Sequence, residues 1–175
     1  KALEYLNVYH LFLKNDLFED ADGDGYPDRL RLRLEISPGL KDRAVWAGLL
    51  NLTARLVHHV SAIDFPLIRR ADRDSPFEGN ILFIDRPRSA APATTCIRRQ
   101  APNHLLMEGA DGKAMGALLT TLALSDEKAV DPLPDGWETI QATAPGRPLE
   151  VQDAGGAALR VCHFRKSPHS LSSAR

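Results

Sequence analysis

Apolar and polar positions alternate most regularly over residues 29–36, RLRLRLEI. Leu30, Leu32, Leu34 and Ile36 fall on one side, and Arg29, Arg31, Arg33 and Glu35 on the other. Successive residues of a strand face opposite ways, so this pattern predicts a half-buried β-strand. Ser37-Pro38-Gly39 ends it. Over residues 42–60 the period lengthens. Trp46, Leu49, Leu50, Thr53, Leu56, Val57 and Val60 recur at helical spacing, and Asp42 suits the N-cap. NILFID, residues 80–85, is a continuous apolar run of strand length, as in a strand buried on both faces of a parallel sheet.

Weaker signals fill in the remainder. LEYLNVYHLFL, residues 3–13, reads as a strand or short helix. Residues 63–68 form a short apolar segment interrupted by Pro66, and residues 86–103, with Pro87, Pro92 and Pro102, read mostly as loop. Short strands are expected at 94–98 and 105–108. Gly109-Ala110-Asp111-Gly112 then turns into a helix over about 113–124. Residues 149–152 and 158–164 flank Gly155-Gly156, a hairpin signal. Strand, helix, strand, strand, helix and hairpin together predict an α/β three-layer domain with a mixed, partly parallel sheet and a C-terminal hairpin. One domain is expected over residues 1–166, followed by a flexible polar tail at 167–175.

Composition excludes more than it identifies. Lys plus Arg number 22 and Asp plus Glu 23, for a formal net charge of -1, so nothing global attracts nucleic acid or an anionic membrane. No apolar run is long enough for a membrane span. The best, residues 44–56, is broken by Asn51, Thr53 and Arg55. Two cysteines are too few for a disulfide scaffold or a four-ligand zinc site. Cys96 and Cys162 either form one disulfide in an exported chain or stay separate as buried thiols. The chain begins at Lys1 rather than Met, so removal of an upstream segment is expected.

The clearest chemistry lies in Asp20-Ala21-Asp22-Gly23-Asp24-Gly25-Tyr26-Pro27-Asp28. Calcium is a hard cation that takes six to eight oxygens, so several carboxylates must converge on it. Alternate aspartates in a tight loop achieve this, with glycine supplying the turn. Asp20, Asp22 and Asp24 occupy positions 1, 3 and 5, Gly25 position 6, the Tyr26 carbonyl position 7 and Asp28 position 9. Position 12, a bidentate Glu in the helix-loop-helix version, is Arg31 here. That residue, and the strand that follows the loop, exclude an ordinary EF-hand.

The spacing D-x-D-x-D-G-x-x-D resembles the calcium loops of thrombospondin type 3 repeats and related bacterial modules over nine residues. More widely, the acidic loop, the alternating strand, the helix WAGLLNLTARL, the FPLI segment and GADGKAMGALL follow one another in an order similar to a known family. It resembles the accessory domain N-terminal to some bacterial secreted zinc carboxypeptidase-like domains. More distantly it resembles the flavodoxin-like modules of the regulatory subunit of bacterial cellulose synthase. The likeness spans roughly residues 16–124. It implies a secreted or periplasmic, non-catalytic accessory domain whose partner is a neighbouring domain or protein of the same exported assembly.

Catalytic signatures are sparse. The zinc carboxypeptidase pair H-x-x-E has no match. His104 and Glu108 are four apart, on a segment that reads as strand. No G-x-S-x-G elbow occurs. His58-His59 ends a helix, where a cation suits the dipole. Gly109, Asp111, Gly112 and Lys113 form a glycine-rich strand-to-helix turn able to receive an anion at the helix N-terminus, although Ala114 stands where a phosphate loop needs Ser or Thr. Arg69, Arg70, Arg73, Arg86, Arg88, Arg98 and Arg99 would suit an acidic glycan if gathered, but Asp72, Asp74 and Asp85 interrupt them. The rival functions are a metal-dependent hydrolase and a carbohydrate-binding module of an envelope complex.

Overall fold

The computed structural model describes residues 5–7, 18–24, 28–58, 60–63, 66–71, 77–90, 94–124, 126–128, 139–142, 149–152 and 158–161. The alternating segment contributes to two sheets and lies one strand in from the edge of the larger. It divides at Arg31 into β3 (Arg29–Leu30) and β4 (Leu32–Ile36), preceded by β1 (Tyr5–Asn7) and β2 (Phe18–Glu19). There follow α1 (Arg43–Val57), β5 (Ile68–Arg70), β6 (Asn80–Ile84), β7 (Cys96–Ala101) and β8 (His104–Glu108). Then come α2 (Gly112–Leu124), β9 (Asp126–Lys128), β10 (Thr139–Ala142), β11 (Leu149–Gln152) and β12 (Ala158–Val161).

Eight of these strands form one sheet, in the order β12-β11-β10-β7-β8-β6-β4-β5. The four strands β8, β6, β4 and β5 are parallel. The others join antiparallel, so the sheet is mixed. This is the α/β class that the pattern predicts. The C-terminal pair β11–β12 is present, with Leu149 opposite Val161, while its turn lies outside the described residues, as do Cys162 and the tail at 167–175. Strands β9 and β10 were not foreseen. Three or four residues carry too little alternation to stand out, and only pairing with β1 and β7 defines them.

The register sorts residues onto the two sheet faces. Leu32, Leu34 and Ile36 of β4 share a face with Leu82 and Ile84 of β6, Leu105 and Met107 of β8 and Ile97 of β7, and all join the core. Both helices pack on that face. Val45, Leu49, Leu52 and Leu56 of α1 and Met115, Leu118, Leu119 and Leu122 of α2 belong to the same cluster. Each fully buried Leu contributes roughly 1.5–3 kcal/mol. Of the three layers expected, the described residues supply two, helices and sheet. The other sheet face carries Arg33, Glu35 and Phe83. Arg33 is only 8% exposed, bound through Nε and Nη2 to Glu35 Oε1 and stacked 4.6 Å from the Phe77 ring centroid. The strand expected to be half-buried is therefore covered on its charged face as well at Arg33.

The helix is as expected in place but rotated in aspect. Asp42 is the N-cap, its side chain accepting from Ala44 N at 2.9 Å and Val45 N at 3.1 Å. The buried stripe, however, is Val45, Gly48, Leu49, Leu52 and Leu56, while Leu50 is 58% exposed. The cause is α2, which lies alongside and runs in the same direction. A Cβ on Gly48 would strike the Gly116 carbonyl, and one on Gly116 would strike that of Ala44. Two backbones this close leave room only for glycine, and their contact turns Gly48 and Leu52 inward. Across the pair, Asn51 Nδ2 donates to Thr120 Oγ1 at 3.3 Å.

Candidate metal centre

Strands β2 and β3 form a separate antiparallel ladder, with Phe18 opposite Leu30 and Glu19 opposite Arg29. The acidic loop 20–28 closes this ladder, and Asp28 N donates to Glu19 O at 2.7 Å across its mouth. The described loop residues orient their own side chains. Gly23 N donates to Asp20 Oδ1 at 2.7 Å, Asp24 N to Asp22 Oδ1 at 3.1 Å, and Ala21 N to Asp28 Oδ2 at 2.8 Å. Gly23 has φ 76°, a backbone that side chains rarely adopt, and this lets its amide point back at Asp20.

The result is convergence. Asp20, Asp22 and Asp28 each place a carboxylate oxygen within 4.8 Å of the others, with Asp20 and Asp22 exposed and Asp28 half-buried. Calcium–oxygen bonds are roughly 2.3–2.6 Å, so oxygens on opposite sides of one ion stand about 5 Å apart. The three aspartates are thus placed so that they could hold a single cation. Of the five sequence-predicted ligands, the structure groups these three. Asp24 is described but stands outside the group, its amide serving to orient Asp22. Tyr26 lies outside the described residues, together with Gly25. The turn glycine that sequence reasoning missed is Gly23, and a glycine between two aspartates was its only signal.

Asp28 also ties the loop to the rest of the fold. Its carbonyl accepts from Ala62 N at 2.9 Å and from Ser61 Oγ at 3.1 Å, and Arg29 bridges Ala62 in parallel. Val60 and Ile63 of the same segment, which follows α1, pack against the core. One residue therefore supplies a carboxylate to the loop and a carbonyl to the folded body.

The other candidates sit elsewhere. Asp111 caps α2, its Oδ1 accepting from Lys113 N at 3.0 Å, and the Asp42 carboxylate abuts Gly112. The glycine-rich turn thus already holds two carboxylates of the chain itself. His104 and Glu108 lie at opposite ends of β8, roughly 13 Å apart at the rise of a strand. Glu108 pairs with Arg98 at 2.5 Å. Asp85 binds Arg88 at 3.0 Å, which leaves that arginine in an ion pair. Arg73, Asp72 and Asp74 lie outside the described residues, as does His59, while His58 forms the C-cap of α1. Cys96 is a buried free thiol. Burial pushes its pKa up, the Glu108 carboxylate adds to this, and the Arg98 guanidinium opposes it. Among the described residues, no other group of three His, Cys, Asp or Glu side chains is placed to hold a metal ion.

In comparisons with known proteins, the chain matches no family model, no curated protein and no solved structure. Among the described residues, no helix is long and apolar enough to cross a membrane.

Proposed function

We propose that this chain is a calcium-binding, non-catalytic accessory or interaction domain of an exported bacterial protein. The convergence of Asp20, Asp22 and Asp28 on one point carries the reading. Calcium is favoured over magnesium by the donor set. Magnesium demands near-ideal octahedral geometry at roughly 2.0–2.1 Å, whereas an exposed loop of carboxylates suits the looser, larger shell of calcium. The same exposure argues for weak affinity. Extracellular calcium modules bind at roughly 0.1–1 mM, and only compartments outside the cytoplasm hold calcium at such levels continuously. Secretion or a periplasmic location follows from that argument and from the resemblance of the loop to exported modules. The neighbouring domain or protein of the same assembly is the proposed partner, with a glycan as the alternative.

The test is calcium titration followed by calorimetry and by thermal melting, with magnesium as control. An ion bound only by the native state raises the melting temperature. Saturable calcium heat that Asp22→Ala abolishes is expected. No heat and no shift at about 10 mM calcium, an order of magnitude above the weak end of that range, would remove the reading.

A further inference from the structure

We draw no further inference here: the strongest candidate, the carboxyl edge of the parallel strands where the N-termini of α1 and α2 meet beside Asp42, Asp85 and Asp111, is a pair of helix N-termini whose carboxylates already accept from the chain's own backbone amides and from Arg88, with nothing among the described residues that points to a ligand.

Discussion

The helix–sheet core and the acidic loop are held together by opposite means. In the core, Leu34, Leu49, Leu52, Met107 and Leu119 are wholly buried, and their partners come from distant parts of the chain. In the loop, Asp20, Asp22 and Gly23 are exposed, and each described contact within it spans seven residues or fewer. Burial of apolar surface is indifferent to which ions are present. Carboxylates of one sign gathered at one point repel until a cation joins them. The core should therefore set the stability of the domain and the loop should set its response to ions. Asp28 is where the two regimes touch.

The largest effect expected is in the core. Leu52→Ala should cost roughly 2–5 kcal/mol, since it removes a wholly buried side chain and leaves a cavity. Gly116→Val should cost at least as much as ordinary overpacking, roughly 1–3 kcal/mol, because its Cβ meets the Ala44 backbone rather than a movable side chain. Denaturant melts in EDTA would measure both. Equal losses with and without calcium would confirm that the core ignores the ion, and a calcium-dependent loss would break the comparison.

Calcium addition comes next. At roughly ten to a hundred times the dissociation constant, an ion bound only by the native state adds about 1.4–2.7 kcal/mol. In a domain of this size that moves the melting temperature by several degrees, at about 2–4 °C per kcal/mol. Asp22→Ala should abolish the shift. In EDTA it should change stability by no more than about 0.5 kcal/mol, because the residue is exposed. A large loss in EDTA would instead make Asp22 part of the framework.

A smaller effect tests the junction. Ser61→Ala removes the Ser61 Oγ bond to Asp28 O, worth about 0.5 kcal/mol at an exposed site. Hydrogen exchange at 18–24, 28–36 and 60–63 gives the sharper readout. Calcium should slow exchange in all three segments, since Asp28 joins them, and Ser61→Ala should weaken the transfer to 60–63. Unchanged protection with the ion demonstrably bound would mean that the loop serves a partner rather than the fold.

The smallest effect concerns Cys96. Its folded-state pKa is raised, so the native state keeps the thiol proton at a pH where the unfolded state has released it. The stability contributed is present below the ordinary thiol value and is lost as pH rises through the folded-state value. Native Cys96 should consequently be alkylated far more slowly than the unfolded chain at mildly alkaline pH, as peptide mapping by mass spectrometry would show. Rapid native labelling would place Cys96 at an open surface.

Much of this was legible in the chain itself. Alternation over 29–36 fixed which face of β4 is apolar, and NILFID marked a parallel interior strand, because a period of two is a local property of extended backbone. The Asp42 cap and the acidic loop that carries Asp20, Asp22 and Asp28 were readable because capping and close spacing of carboxylates operate over a few residues. Tertiary structure decided the rest. It broke the long strand at Arg31, where β3 pairs with β2 while Asn80 N donates to the Arg31 carbonyl. It buried Arg33 between Glu35 and Phe77, and turned Leu50 outward by laying Gly116 against α1. It left Asp24 out of the triad and joined Asp28 to Ser61 and Ala62. Each of these depends on partners dozens of residues away or on the path of the backbone, and side-chain type at one position records neither.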